Sequence, residues 1–209
     1  MTEAISVERD GAEATRTGLG RCVRGGGVAV FPADGLYGLA CDPMSAGAIE
    51  RINSLKGRAE GKPSAVMYFS PLAMRELLAS LGPRTREAIA ALLPGPVTLV
   101  VANPERRYPL ACREDPERLG LRLIEGPLAG VTTPILQTSA NRSGEPAPSR
   151  FEGIDPEIIA GADLVIDGGE LTGEPSTVVD LAAIEAGGEW TVLREGAMAT
   201  REIERRLAT

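Results

Sequence analysis

Short apolar runs rich in β-branched residues alternate along this chain with stretches whose apolar residues recur every three or four positions. The runs Gly27–Phe31, Ala65–Phe69, Val97–Ala102 and Gly120–Ile124 predict strands, as do Ile135–Thr138, Asp163–Asp167, Thr177–Leu181 and Thr191–Arg194. Most carry apolar side chains at both odd and even positions, the pattern of strands covered on two faces. The helical stretches have readable ends. Ser45 can cap a helix running to Lys56, with Ile49, Ile52 and Leu55 on one stripe. Ser70-Pro71 opens another, which carries Leu72, Leu77, Leu78 and Leu81 and stops at Gly82. Pro83 or Thr85 opens a third, with Ala88, Ile89, Leu92 and Leu93 inward, and Pro94-Gly95 closes it. Asp155-Pro156 starts a short helix, and Thr200 can cap a last one carrying Ile203 and Leu207. The segment before Gly25 also reads as helical, although Gly11, Gly18 and Gly20 oppose it.

This alternation predicts an α/β fold. Some connections are too short for helical crossovers, notably that between Asp163–Asp167 and Thr177–Leu181, so the sheet is expected to be mixed. No repeat, low-complexity tract or long linker divides the chain, and residues 1–209 read as one domain; Gly144–Pro148 is the most linker-like stretch.

Composition narrows the chemistry. The 209 residues include no His, which excludes a Ser-His-Asp triad, a Cys-His pair and a His-ligated zinc. The core must be aliphatic, since aromatic residues make up only 3%. With 22 Lys+Arg against 29 Asp+Glu the net charge is −7, which argues against nonspecific nucleic-acid binding by the whole surface but leaves room for a local basic pocket. Cys22, Cys41 and Cys112 form no CxxC pair and read as reduced thiols. There is no signal-peptide pattern and no apolar run of membrane-spanning length, so a cytoplasmic protein without a membrane partner is expected.

Five segments could carry chemistry. Phe31–Asp42 leaves a strand and is broken by Pro32, Gly35 and Gly38; Asp34 and Asp42 could meet an amine or a hydrated metal ion, or simply form turns. Lys56-Gly-Arg58 and Lys62 put three cations in one short loop, which suits a polyphosphate, although cations at a helix C-terminus also answer its dipole. Gln137–Gly144 offers six hydrogen-bonding side chains after an apolar strand, as a ligand site or as an Asx/Ser turn. Pro175–Asp180 leads with Ser176 and Thr177 into a strand, and Leu193–Ala197 leaves one with Arg194 beside Gly196. No GxxxxGK[ST] and no strand-linked GxGxxG is present, which excludes a P-loop and disfavours a dinucleotide fold.

In this order, the segments Pro32–Gly38, Lys56-Gly-Arg58, Pro94-Gly-Pro-Val-Thr98, Arg122, Thr138–Gly144, Ser176–Asp180 and Leu193–Ala197 resemble the YrdC-like family of threonylcarbamoyl-adenylate synthases. The match runs over roughly residues 20 to 205. The resemblance implies an open, twisted mixed sheet with helices on both faces and a concave central cavity. It implies condensation of L-threonine, bicarbonate and ATP, with Mg²⁺ assisting, to threonylcarbamoyl-AMP and pyrophosphate for t6A modification of tRNA. Partners would then include tRNA or the downstream threonylcarbamoyl transferase proteins. Residue by residue, Lys56 and Arg58 match the catalytic pair. Together with Lys62, Asn141, Ser149 and Arg194 they match ATP contacts, while Asp34, Gly35, Met67, Arg122, Ser139 and Ser176 fall on the threonine side.

The chain also departs from the family pattern. Ala33 stands where a Thr is usual, Gly35 where many members have a second Thr, and Met67-Tyr68 where many have His. Arg122 is followed by Leu-Ile-Glu rather than Val-Pro, and the stretch to Thr138 is short, so a helix there is expected to be trimmed. These changes gather on the amino-acid side. They keep a second reading open: a diverged relative that binds nucleotide or RNA without making this product.

Overall fold

The computed structural model describes residues 2–57 and 62–208, so Arg58 lies outside the described residues. Strand β1 (Glu3–Ser6) leads into helix α1 (Val7–Arg24), then β2 (Ala29–Pro32), β3 (Tyr37–Cys41) and α2 (Ala46–Lys56). Next come β4 (Ala65–Tyr68), the short helix α3 (Arg75–Ala79), α4 (Pro83–Leu92), β5 (Val97–Ala102), α5 (Pro109–Cys112) and β6 (Arg118–Leu123). The chain continues through β7 (Ile135–Ser139), α6 (Pro156–Gly161), β8 (Leu164–Asp167), β9 (Thr177–Asp180), β10 (Thr191–Arg194) and α7 (Thr200–Leu207).

The ten strands join one sheet in the order β1-β8-β2-β3-β7-β4-β6-β5-β9-β10. It is mixed: β1 with β8, β8 with β2, β4 with β6 and β5 with β9 are parallel, and the other neighbours run antiparallel. Strand alternation divides the core in two. Val66 and Tyr68 of β4 join a large cluster with Ile52 of α2, Leu77 of α3, Leu92 of α4 and Ile203 of α7. Met67, between them, turns to the opposite face and joins Phe31, Ala40, Ile135 and, from α1, Leu19 and Val23. Helix α1 covers only the β1-β8-β2-β3 half of that face. The other half, over β7, β4, β6, β5 and β9, keeps a trough.

The link from β8 to β9 explains why the trough is concave. The order places β8 second and β9 ninth. Seven interstrand steps of about 4.8 Å would span about 34 Å on a flat sheet. Ten residue steps from Asp167 to Thr177 reach about that far only when fully extended. The link is instead tethered midway, Leu171 N–H to Ser149 O (2.8 Å) and Gly173 N–H to Gly35 O (2.9 Å). The sheet must curl for it to reach, and residues 168–176 become a strap along one wall of the trough.

Several helix ends follow the sequence. Ser45 Oγ accepts from Ala48 N–H (3.3 Å) to open α2, and Gly57, left-handed at φ 54°, closes it. Asp155 caps α6 through Glu157 N–H (2.8 Å). Between β6 and β7 the described chain forms no helix, as the short spacing suggested.

Other expectations need correction. The glycine-broken segment after β2 contains a strand, β3, with Gly38 paired opposite Phe31 in an antiparallel hairpin. β1 was not anticipated. The stretch after Ser70 splits into a 3-10 turn, Leu72–Met74, and α3, and Leu72 is 76% exposed. The cap position of α7 is Ala199, while Thr200 is the first helical residue and donates to Glu195 Oε1 (2.5 Å). β8 and β9 are not neighbours, so the mixed character of the sheet comes from the antiparallel pairs around β3 and β7, with β6–β5 and β9–β10, rather than from their short link. Asp42 caps its own turn, accepting from Met44 N–H (2.8 Å).

Candidate active site

The trough holds a cavity of about 280 Å³ whose floor is set by strand register. Met67 pairs with Arg122 across β4–β6, and Ala65 with Gln137 across β4–β7. Thr98 pairs with Val178 across β5–β9, and one step beyond the Leu99–Leu121 pair Thr98 comes opposite Arg122. Because alternate residues share a face, Thr98, Arg122, Gln137 and Ser139 look into one space, and the strap adds Glu174 and Ser176.

Arg122 is the central charge. It is only 5% exposed. Its Nη1 donates to Ala33 O (3.3 Å) and, more weakly, towards Gln137 Oε1 (3.5 Å), and its Nη2 pairs with Asp34 Oδ2 (3.2 Å). Its buried Nε has no hydrogen-bond partner. Burial pushes this guanidinium down to about 10; Asp34 opposes that shift and the charge of Arg194 adds to it. A buried guanidinium with an unused donor, facing a cavity, is a site for a planar anion such as a carboxylate.

Asp34 reaches Arg122 from a left-handed backbone (φ 82°), a conformation that costs a non-glycine residue about 1 kcal/mol or more and that the Arg122 contact helps hold. Gly35, next to it, lies so close to the strap that a Cβ would sit 2.1 Å from Glu174 O. Tyr37 fixes the rest. Its N–H donates to Pro148 O (2.8 Å) and its carbonyl accepts from Ala140 N–H (2.9 Å). Its hydroxyl donates to Gly169 O (2.8 Å), accepts from Gly168 N–H (2.9 Å) and lies 3.3 Å from Asp167 Oδ1. Burial raises this phenol to about 12, so it stays a neutral donor.

At the far wall, Thr98 Oγ1 and Ser176 Oγ are 2.8 Å apart. Arg194 donates to Ser176 O (2.7 Å) and to its Oγ (3.2 Å). The turn after β10 reaches this wall only because residue 196 is glycine. A Cβ there would meet Pro175 O at 2.3 Å, and the close approach lets Ala197 N–H bond Pro175 O (2.9 Å). Ser176–Asp180 and Leu193–Ala197, distant in sequence, are thus one packed unit.

The structure brings together Gly35, Arg122, Ser139, Ser176 and Arg194 on the cavity wall. Asp34 touches it through Arg122, and Met67 is buried beside Arg122. Ser149 sits behind the strap, its carbonyl accepting from Leu171. Lys62 is exposed, next to Pro63 and Ser64 at the rim. Lys56 is only 4% exposed, and its ammonium donates to Ser139 O, Asn141 O (2.8 Å) and Asn141 Oδ1 (3.2 Å). Asn141 Nδ2 in turn donates to Arg142 O (2.9 Å) and to Glu145 O. Gln137, at the head of the candidate segment Gln137–Gly144, does line the cavity, whereas sequence reasoning gave no role to Thr98 or Glu174. Thr98 closes the Pro94–Thr98 motif, whose last residue was the signal to follow.

Among the described residues no group of three or more His, Cys, Asp or Glu could hold a metal ion, and no helix is long and apolar enough to cross a membrane. The cysteines are free thiols.

Residues 21–196 match the Sua5_yciO_yrdC family model, described as "Telomere recombination". A threonylcarbamoyl-AMP synthase of Thiobacillus denitrificans is 32% identical over 188 residues, covering 86% of this chain and 96% of the relative. One from Pyrococcus abyssi is 32% identical over 195 residues, 88% of this chain; the chain spans only 54% of that relative's length. A crystal structure of P. abyssi Sua5 complexed with L-threonine superposes with a TM-score of 0.82 at 27% identity, covering 99% of this chain and 60% of that one. E. coli YciO superposes with a TM-score of 0.78 at 25% identity, covering 97% and 98%. The open mixed sheet, the walled trough and these matches place the chain in the Sua5/YciO/YrdC family.

Proposed function

We propose that this protein is an L-threonylcarbamoyladenylate synthase, a nucleotidyltransferase that joins L-threonine, bicarbonate and ATP and releases pyrophosphate. The observation that carries the reading is the buried Arg122 guanidinium on the cavity wall, which the protein leaves short of one hydrogen bond, within the electrostatic reach of Arg194. One guanidinium suits the amino-acid carboxylate and the other a phosphate.

The amine of threonine takes up bicarbonate to give a carbamate and water. A carbamate oxygen then attacks the α-phosphorus of ATP, the bond to the bridging oxygen of the β-phosphate breaks, and pyrophosphate leaves. No protein nucleophile and no imidazole is required. The protein's part is to hold two anions within attacking distance and offset their charge. Arg122 would fix the carboxylate, with Asp34 and Gln137 fixing Arg122. Ser139, Ser176 and Thr98 would supply hydroxyls between the two ends. Arg58, Lys62 and Arg194 would meet the phosphates, with Asn141 and Ser149 framing the nucleotide side. The described residues form no metal cage, so Mg²⁺ would arrive with the phosphates and offset their charge, and Glu174 on the cavity wall would be the carboxylate to hold it. The adenylate would pass to the proteins that modify tRNA, in the cytoplasm.

Omission of single components tests this. Pyrophosphate release should require ATP, bicarbonate and threonine together. Release that is indifferent to threonine, or nucleotide binding without any release, would favour a relative that only binds nucleotide or RNA.

A further inference from the structure

The cation that ends α2 is turned away from the cavity and into the polypeptide. Lys56 is the last residue of that helix, and Gly57 reverses the chain directly after it. An ammonium has three donors. Here they meet Ser139 O, Asn141 O and Asn141 Oδ1, with Ser139 Oγ also at 3.5 Å, while the Lys56 carbonyl accepts from Ser143 N–H (2.8 Å). Residues 139–143 therefore wrap around Lys56, held through both its side chain and its backbone. The Asn141 amide is used up as well: Oδ1 goes to Lys56, and Nδ2 goes to the carbonyls of Arg142 and Glu145.

We propose that Lys56 is a positioning residue, which with Asn141 braces the Ser139–Ser143 turn against the cavity and does not itself touch phosphate. The brace pulls two carbonyls of the turn inward. Carbonyl oxygens facing a polyphosphate would repel it, so drawing them away prepares the turn for an anionic ligand. Ser139, at the end of β7 and opposite Gly38, keeps its place on the cavity wall only while this turn is fixed. The proposal takes its ligand from the nucleotide reading above. Its test has one arm that does not depend on that reading.

The ligand-independent arm is amide hydrogen exchange in the ligand-free protein, compared between wild type and Lys56→Met. A brace predicts exchange at least about tenfold faster at Ser143 and Ala140, with helix α4 unchanged. Unchanged exchange at both amides overturns it. The second arm measures binding of adenosine and of ATP. A brace predicts that Lys56→Met weakens both by a similar factor and that Lys56→Arg does not rescue, because a guanidinium is too wide for the space between the two carbonyls. A direct phosphate contact predicts weaker ATP binding with adenosine unaffected, and substantial rescue by Arg; that result overturns the proposal. If Lys56→Met does not fold, Asn141→Ala removes one acceptor and should give the same uniform loss, about threefold. If wild type binds neither ligand, the nucleotide reading fails and the exchange arm alone decides the brace.

Discussion

The Asp34 carboxylate lies 3.2 Å from the buried Arg122 guanidinium and reaches it from a left-handed backbone. Asp34 is partly exposed and Arg122 is not, so the pair spans the boundary between the cavity and the loop above it. A carboxylate ligand on the cavity side of Arg122 would add to the hydrogen bonds that Ala33, Gln137 and Asp34 give this charge.

Arg122→Met should therefore act on the amino acid and not on the fold. Loss of a charge-assisted contact of about 1.5–3 kcal/mol predicts a KM for threonine raised about 10- to 100-fold. Met fills similar space and removes a buried charge, so stability should hold or rise. Steady-state pyrophosphate release and urea unfolding check both. A variant with unchanged KM would remove Arg122 from the carboxylate site.

Alkaline titration separates two buried groups with opposite signs. Arg122 is depressed from 12.5 to about 10, so below pH 10 it is charged in the folded and the unfolded chain and its burial cost is fully present. That cost is relieved as pH rises from 10 towards 12.5. Tyr37 is raised from 10.0 to about 12, so its contribution is whole below pH 10 and is lost as pH climbs to 12. Urea unfolding from pH 9 to 12 should show Tyr37→Phe losing less stability than wild type over this range, and Arg122→Met lacking the compensating gain. Three parallel curves would contradict the assignment.

Gly35→Ala should detach the strap. Its Cβ would lie 2.1 Å from Glu174 O, so the loop must move and the Gly173–Gly35 hydrogen bond must lengthen. Overpacking of this kind costs about 1–3 kcal/mol. The expected signature is a loss of kcat/KM of about tenfold or more with faster amide exchange at Gly173. Wild-type exchange there would show that the strap is not held by this contact.

At the Thr98–Ser176 pair, Ser176→Ala should cost more than Thr98→Val. Ser176 Oγ meets both Thr98 and Arg194, whereas Thr98 Oγ1 is hydrogen-bonded to Ser176. Kinetics of the two single variants and the double variant would give a coupling energy. Strict additivity would mean that the two hydroxyls act separately.

Much of this architecture is readable from local chemistry. Ser45 and Asp155 cap helices as their residue types suggest, and β2 and β8, with apolar residues on both parities, are buried on both faces, while β5 is fully buried on one face only. What local chemistry cannot show is who pairs with whom. Gly38 looks like a breaker, yet opposite Phe31 it is a strand residue. Thr98 and Gln137 join the site only through registers set by β5, β6, β7 and β4, and these depend on long-range packing. Arg122, Ser176 and Arg194 were visible as polar residues within or beside apolar strands. Lys56 was visible too, as the end of a helix and as one of three clustered cations; that its ammonium points into a neighbouring turn follows from tertiary contacts alone.

The most direct measurement is mass spectrometry of the rapidly quenched reaction with ATP, threonine and ¹³C-bicarbonate. The account predicts an adenylate that contains threonine and one labelled carbon, formed in step with pyrophosphate by wild type and sharply reduced in Arg122→Met. Pyrophosphate appearing with no labelled adenylate, or a labelled adenylate made equally well without Arg122, would contradict it.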